Sequence, residues 1–337
     1  MKKIIGCIIL LCWVMLTGCS DKKNHQECPE IILDIDVPSS TDDLFALQML
    51  YRYADKGMCK LLGVVVDREG ESGAEIVDIF NTYNGHPDIP IGLIQEGIEK
   101  PQVWIDYSYL PEHRTADGKP MFQRTMDDYT SLLDGWQLYR RLLSEQPDHS
   151  VSICSVGFVT ALAQLLQSGA DEYSPLDGVE LVKRKVKAIY VMGGVFGQSV
   201  EPDYNFGQGI DFAQTFFRLW PKEVDMFFSP GEVGDGVEYP VGQVLDDYAW
   251  DMNHPIRQVY QHYNCNTGQK MWDPMAVIHA VEGDSLFTLS DRGHVVITPQ
   301  AETIFTPSTM GNCRYQLPGT AEWNSRMLEK IREAKRR

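Results

Sequence analysis

The chain has 337 residues, of which 43% are hydrophobic, 10% aromatic and 23% charged. This composition supplies a large apolar core and excludes a disordered or fibrous protein. The formal net charge is −17 at pH 7, and so acidic a chain repels phosphate backbones, which argues against nucleic acid as a partner.

The N-terminal residues are predicted to be a targeting segment. Met1-Lys2-Lys3 is basic, and the uncharged apolar run Ile4–Met15 is as long as a signal-peptide core and too short to span a bilayer. The following Leu16-Thr17-Gly18-Cys19 resembles the bacterial lipoprotein signal, whose cysteine is lipidated and becomes the new N-terminus. A plain signal peptide or a short membrane anchor is the alternative.

If the chain is a lipoprotein, residues 1–18 are the predicted signal peptide, Cys19 is the predicted lipidation site and residues 19–29 are a polar tether. The protein is then expected in the bacterial cell envelope, on the periplasmic face or the cell surface, with the lipid anchor as its only contact with a membrane. Loss of Lys2 and Lys3 moves the net charge from −17 to −19.

Five cysteines follow Cys19, an odd number without a CxxC pair: Cys28, Cys59, Cys154, Cys265 and Cys313. This pattern argues against a disulfide framework and against a zinc site. Cys154 lies in an apolar run and is predicted to be a core residue. A disulfide bond between Cys28 and another cysteine is an alternative for a protein outside the cytoplasm.

Apolar runs of strand length alternate with amphipathic helical patterns along the chain. The expected strands are Ile31–Asp36, Leu61–Asp67, Pro90–Leu93, Val151–Val156, Val186–Met192 and Val224–Phe228. The expected helices are Asp42–Tyr53, Ala74–Tyr83, Asp134–Glu145 and Thr160–Gln167. This alternation predicts an α/β fold with a mostly parallel central sheet and helices on both faces, in a single domain over residues 30–337.

Two regions depart from the alternation. Residues 101–130 form an aromatic-rich insertion, too long for a structureless loop and therefore expected to be a lid or a small subdomain. Near the C-terminus, Phe287–Thr288, Val295–Thr298 and Thr303–Phe305 predict short strands of a hairpin or small sheet, and Thr320–Lys335 predicts a terminal helix.

Four carboxylates gather where the first strand ends. Asp34 and Asp36 are two residues apart in one strand and face the same side, while Asp42 and Asp43 open the next helix. Ligands of open parallel sheets bind at the carboxyl ends of the strands. Clustered carboxylates repel one another unless a cation, protons or hydrogen bonds compensate, and oxygen ligands suit Ca²⁺ or Mg²⁺.

The pattern Asp34-x-Asp36 followed by Asp42-Asp43 resembles the start of the inosine–uridine-preferring nucleoside hydrolases, in the longer-loop variant of related bacterial proteins. Four further segments resemble the family in order and spacing: Val156-Gly157-Phe158-Val159-Thr160-Ala161-Leu162-Ala163, Val191-Met192-Gly193-Gly194, Pro202-Asp203-Tyr204-Asn205 and Trp272-Asp273-Pro274. The resemblance spans almost the whole mature chain and implies the family's Rossmann-like open sheet.

The resemblance implies a Ca²⁺ site made of Asp36, Asp43, the backbone carbonyl of Thr160 and Asp273. It implies hydrolysis of the N-glycosidic bond of a ribonucleoside, as in purine or pyrimidine salvage, with Asp36 as the catalytic base that activates a metal-bound water. The implied substrate-binding residues are Asp42, Met192, Asp203, Asn205 and Trp272. A nucleoside or other ribosyl compound is the implied partner, and homo-oligomers are common in the family.

Several positions depart from the family pattern: Pro38, Ser40, Asp67-Arg68, Ala161, Gly209 and Trp272. Trp272 stands where one branch has the histidine that protonates the leaving base, so it is expected either to stack on a base or to fill core.

These departures motivate an alternative, a catalytically degenerate surface lipoprotein that binds a nucleoside or sugar through Ca²⁺. A second alternative is a haloacid-dehalogenase-type phosphatase with Asp34 and Asp36 as its acidic pair, although Pro38 stands where that family has Thr or Val.

Overall fold

The computed structural model describes residues 28–98, 103, 105–197, 200–263 and 265–335. The expected signal peptide and the expected lipidation site Cys19 lie outside these residues. Within them, no helix is both long and apolar enough to cross a bilayer.

The centre of the fold is a nine-stranded sheet with the order β10-β9-β11-β6-β5-β4-β1-β2-β3. All neighbours are parallel except the pairs that β9 makes with β10 and β11, which confirms the predicted mostly parallel sheet. The remaining two strands, β7 and β8, form a small antiparallel ribbon. The strands are β1 Glu30–Ile35, β2 Lys60–Val66, β3 Ile91–Leu93, β4 Val151–Ser155, β5 Val186–Met192, β6 Asp225–Ser229, β7 Glu238–Tyr239, β8 Gln269–Lys270, β9 Gly293–Ile297, β10 Thr303–Pro307 and β11 Cys313–Tyr315.

Helices cover both faces of the sheet. They are α1 Asp42–Asp55, α2 Glu71–Asn84, α3 Gly135–Glu145, α4 Thr160–Gln167, α5 Gly178–Lys185, α6 Tyr204–Gln208, α7 Ile210–Leu219, α8 Gly231–Gly234, α9 Val241–Asp247, α10 Pro255–His262, α11 Asp273–Glu282 and α12 Ala321–Glu333. Two 3₁₀ turns, Leu110–Glu112 and Asp284–Leu286, complete the regular structure of the described residues.

The side chains of β1 show why both faces are apolar. Ile31, Leu33 and Ile35 pack into a core with α1, α2 and α11, while Ile32 packs into a second core with α3, α4 and α7. All four are fully buried. Since successive residues of a strand face opposite sides, a continuous apolar run is what a sheet covered on both faces requires. Cys154 of β4 is also fully buried, as predicted, and all five cysteines after Cys19 are free.

The C-terminal strands differ from the prediction. Phe287–Thr288 was expected to be a strand, but it follows a 3₁₀ turn, and only Leu289 makes an isolated bridge, to Gln316. The missed strand is β11, which pairs in parallel with β6 and so joins β9 and β10 to the main sheet. A three-residue strand with a central arginine carries almost no periodicity, so the pattern did not reveal it.

The described part of the insertion 101–130 packs against α2 and against the loop after β1. Asp78 of α2 accepts hydrogen bonds from Thr125 N and Oγ1 (both 2.8 Å), Met126 N (3.1 Å) and the Tyr129 hydroxyl (2.7 Å). On the other side, Tyr107 N donates to Pro38 O at 3.3 Å. The insertion therefore supports the loop that carries the acidic motif.

Candidate active site

A cavity of about 280 Å³ lies at the carboxyl ends of four adjacent strands, β1, β4, β5 and β6. This is the position expected for a ligand site in an open parallel sheet. Its lining includes most of the residues predicted for the site, namely Asp36, Asp42, Asp43, Met192, Asp203, Asn205, Trp272 and Asp273. Thr160 is fully buried and is not part of this lining.

Carboxylates form part of the cavity wall. Asp42, Asp43 and Asp273 each place an oxygen within 4.8 Å of the others, and all three side chains are at most 4% exposed. Asp36 is adjacent, because its backbone N–H donates to Asp43 Oδ1 at 3.3 Å. Asp42 and Asp43 begin α1, and Asp273 begins α11, so the positive ends of two helix dipoles point at the cluster.

Burial and mutual repulsion raise the pKa of every member of this cluster. Burial, followed by the charge of Asp42, raises the pKa of Asp36 to about 7. The pKa values of Asp43 and Asp273 are raised well above the usual range, again chiefly by burial and then by the neighbouring carboxylates. The Arg68 guanidinium acts in the opposite direction on Asp36. Such a cluster is stable only with protons or a cation between its members.

The donor set fits a hard divalent cation, because buried carboxylate oxygens without sulfur or imidazole suit Ca²⁺ or Mg²⁺. The three carboxylates that lie close together are Asp42, Asp43 and Asp273. Asp43 and Asp273 were predicted as cation ligands, whereas Asp42 was predicted to bind substrate. The carboxylate of Asp42 already accepts hydrogen bonds from Ser40 Oγ, from Gln269 Nε2 (3.3 Å) and from Asp273 N (3.3 Å). Asp43 and Asp273 are therefore the members best able to coordinate a cation.

Ser40 shapes the loop between the two halves of the acidic motif. Its φ of 63° lies in the left-handed region, which costs a non-glycine residue about 1–2 kcal/mol. The hydroxyl of Ser40 donates to Asp42 Oδ1, so the strained residue is tied to the site. Strain of this kind concentrates at functional loops.

Asp67 supports the site through its hydrogen bonds to α4. The sequence alone identified it only as a departure from the pattern of the nucleoside hydrolase family. It directly follows β2, is fully buried, and accepts hydrogen bonds from Thr160 N (2.8 Å) and Ala161 N (2.9 Å). These two N–H groups are among the unpaired donors at the start of α4. Asp67 therefore fixes the position of Thr160, whose own hydroxyl has no partner among the described residues.

We expect Asp67→Ala to lower the free energy of unfolding by about 2–4 kcal/mol, because two buried N–H groups lose their acceptor. Chemical denaturation measures this loss. Asp177→Ala is the matched control, since Asp177 caps α5 through Glu180 N (2.9 Å) at an exposed position and should cost only about 1 kcal/mol. Equal losses in the two variants would contradict the role assigned to Asp67.

The side chains expected to bind sugar differ in how many of their polar atoms already make hydrogen bonds within the protein. Asp203 is 7% exposed, and its two oxygens accept from Phe206 N (2.8 Å) and Gly194 N (2.7 Å), so it holds two backbone segments together. Burial raises its pKa to about 6. Asn205 donates through Nδ2 to Val156 O (3.1 Å) and Met192 O (3.3 Å), which leaves its carbonyl oxygen for a ligand.

The cavity lining also contains Trp272 and a residue that sequence reasoning missed, Asp235. Trp272 is partly exposed in the cavity and so does not simply fill core. Its indole Nε1–H donates to Asp235 Oδ1 at 3.0 Å. The only available signal for Asp235 was its position in the loop after β6, at the same edge of the sheet as the other site residues.

No family model matches the chain, and no curated protein matches it in sequence. Solved structures do match its fold. A plant nucleoside hydrolase has 14% identity and a TM-score of 0.67 over 92% of this chain and 99% of its own. An inosine-guanosine nucleoside hydrolase has 16% identity and a TM-score of 0.69 over 90% and 99%. The type III effector XopQ, complexed with adenosine diphosphate ribose, has 17% identity and a TM-score of 0.62 over 92% and 93%. The chain thus has the fold of nucleoside hydrolases.

Proposed function

We propose that this protein hydrolyses the N-glycosidic bond of a ribonucleoside, releasing ribose and the free base, with Ca²⁺ as its cofactor. One observation carries the proposal: buried carboxylates at the carboxyl ends of the strands line a cavity in the fold of nucleoside hydrolases. Two structures of that fold are nucleoside hydrolases by name. A nucleoside salvage role follows from the activity.

Asp36 is the proposed general base. Its carboxylate takes a proton from water as the water oxygen bonds to the anomeric carbon, and the electron pair of the breaking C–N bond leaves with the base. A buried carboxylate in the cavity wall suits this role, and a neighbouring cation would keep it ionised and able to accept the proton. The surrounding carboxylates stabilise the positive charge that develops on the sugar.

The cation would be held by Asp43 and Asp273, with Asp36 and the Thr160 carbonyl as the further proposed ligands. When bound, Ca²⁺ would bind sugar hydroxyls and lower the pKa of water at the site. Asp42 and Asn205 both line the cavity, and their oxygens are the proposed acceptors of hydrogen bonds from ribose hydroxyls. Met192 lines the cavity beside Asn205 and is proposed to pack against the sugar.

The test is product analysis of the purified protein over a panel of purine and pyrimidine ribonucleosides, with Ca²⁺ or with EDTA. We expect free ribose and free base in equimolar amounts, and their loss in EDTA. A protein that binds Ca²⁺ yet releases no ribose from any nucleoside would overturn the hydrolase proposal.

Binding without catalysis is the second candidate. It is favoured by the absence of histidine from the cavity lining in the described part of the chain, where the lining has Trp272 and Asp235 instead. It is also favoured by the effector of the same fold that was solved with adenosine diphosphate ribose. Calcium-dependent nucleoside binding without product would select this candidate.

We further propose that the mature protein begins at a lipidated Cys19 and is anchored in the bacterial cell envelope. The order of basic start, apolar run and Leu-Thr-Gly-Cys supports this proposal. A homo-oligomer is proposed only by analogy with the family.

A further inference from the structure

We propose that a second cavity binds a small organic cation that carries an alkylammonium group. This cavity has a volume of about 390 Å³ and lies between α2, the insertion and the loop that joins α9 to α10. It has no lining residue in common with the candidate active site, so the inference does not depend on the proposed function.

Aromatic rings form the apolar part of the wall of this second cavity. Tyr83 comes from α2, Phe122 from the insertion and Trp250 from the loop, so three separate segments each contribute a ring. Trp250 is 52% exposed, although tryptophan side chains are on average largely buried. The face of an aromatic ring carries partial negative charge, and rings that line one cavity therefore attract a cation.

His254 holds two of these rings in position. Its imidazole is 1% exposed and lies edge-to-face with the rings of Tyr83 and Trp250, at centroid distances of 4.8 and 5.7 Å. His254 Nδ1 accepts a hydrogen bond from Ile256 N at 3.2 Å, so this nitrogen carries no proton and the imidazole is neutral. The rings are therefore fixed before a ligand binds, by a side chain that does not repel a cation.

Asp251 adds a negative charge to the same wall. Its Oδ2 accepts a hydrogen bond from the Tyr83 hydroxyl at 2.5 Å, and its Oδ1 accepts one from Asn253 N at 2.9 Å. These bonds hold the carboxylate beside the aromatic side chains. The described lining of this cavity contains no lysine, arginine or histidine that could neutralise the carboxylate.

Arg124 is the cationic residue that follows the lining residue Gln123 in the chain. Its guanidinium pairs with Glu75 and lies 5.9 Å from the centroid of the Tyr129 ring. Arg124 is therefore engaged by residues outside the lining, and it is not the counterion of Asp251.

This lining selects one class of ligand. An anionic ligand is repelled by the carboxylate of Asp251, and a purely apolar ligand would remove that carboxylate from water without a partner. An alkylammonium ion satisfies both parts of the wall, because its charge pairs with Asp251 and its methyl or methylene groups pack on the rings. The net charge of −17 also raises the local concentration of cations around the protein.

The test is calorimetric titration of the purified protein with choline and with its neutral analogue, in which carbon replaces the nitrogen. We expect choline to bind at least about tenfold more tightly than the analogue, because only choline carries a charge. Trp250→Leu removes the ring but keeps an apolar side chain, and Asp251→Asn removes the charge but keeps the shape. Each should weaken choline binding by about tenfold.

Two matched controls accompany these variants. Tyr109→Leu changes an exposed aromatic residue, and Asp246→Asn changes an exposed carboxylate on the neighbouring helix α9. Both should keep the affinity of wild type for choline. Equal binding of choline and its neutral analogue, or no binding of choline at millimolar concentrations, would overturn the proposal. An equal loss in Asp246→Asn and Asp251→Asn would also overturn it, since net charge alone would then explain the effect.

Two further measurements define the source of the cation and the independence of the site. Glycerophosphocholine carries the same cation on a phosphodiester: binding weaker than that of choline supports a free cation, and equal binding supports a lipid headgroup as the source. Nucleoside hydrolysis should be unchanged in Trp250→Leu and Asp251→Asn. Choline binding by a protein that cleaves no nucleoside would support this site and overturn only the hydrolase proposal.

Discussion

Replacing Asp36 by asparagine should lower kcat/KM for nucleoside hydrolysis by about a thousandfold, because the amide cannot accept the proton of the attacking water. The substitution is nearly isosteric, and Asp36 is only 5% exposed, so the cavity should keep its shape. Measuring ribose release under first-order conditions gives the ratio directly. If Asp36→Asn keeps full activity, Asp36 is not the base.

Two comparisons separate this loss from a folding defect. Asp127→Asn changes an exposed carboxylate in the insertion and should leave kcat/KM unchanged. In the cation-free state, Asp36→Asn should be at least as stable as wild type, since it removes a charge whose burial is unfavourable. An inactive but equally stable Asp36→Asn protein assigns the loss to chemistry.

The second large effect concerns stability, pH and the cation. In EDTA, the free energy of unfolding should fall as the pH rises from about 4 to about 7. The folded-state pKa of Asp36 is raised to about 7 from 3.8, so in this interval the folded protein binds more protons than the unfolded chain. Stability therefore decreases with pH, by an amount on the order of 2–4 kcal/mol from this one group. Asp43 and Asp273 act in the same direction, since their pKa values are also raised.

Saturating Ca²⁺ should reverse this trend, because the cation replaces the protons between the carboxylates. At a thousandfold excess over its dissociation constant, a ligand of the folded state contributes about 4 kcal/mol, and the midpoint of thermal unfolding should rise by about 8 °C. The increase should be larger at pH 8 than at pH 5.

Thermal unfolding at these two pH values, with EDTA or Ca²⁺, measures the effect. Asp273→Asn should lose most of the calcium-dependent increase, whereas Asp88→Asn, an exposed carboxylate, should retain it. No calcium-dependent increase in wild type at pH 8 would contradict a cation site in this cluster.

The sequence was most informative where one strand carries both apolar residues and the acidic motif. Ile31, Ile32 and Leu33 predict a strand buried on both faces, and the carboxylates that follow it necessarily lie at a sheet edge. The alternation of strands and helices then places Met192 and Asn205 at that same edge. For this reason most predicted site residues line one cavity.

Contacts between segments that are far apart in the sequence could not be predicted from local sequence patterns. The bonds from Thr160 N and Ala161 N to Asp67 span more than 90 positions, and the bond from Trp272 to Asp235 depends on how α8 packs against α11. No local periodicity encodes such pairs. Strand β11 was missed for a related reason, since its pairing with β6 is set by the sheet and not by its three residues.

The insertion has two parts that should evolve under different constraints. Its root pairs Asp106 with Ser39 and Tyr107 with Pro38, inside the loop of the acidic motif. Its tip, around the bridge between Arg114 and Pro120, is largely exposed. Substitutions at the root should therefore displace residues of the acidic loop, whereas substitutions at the exposed tip should change the surface and leave the site in place.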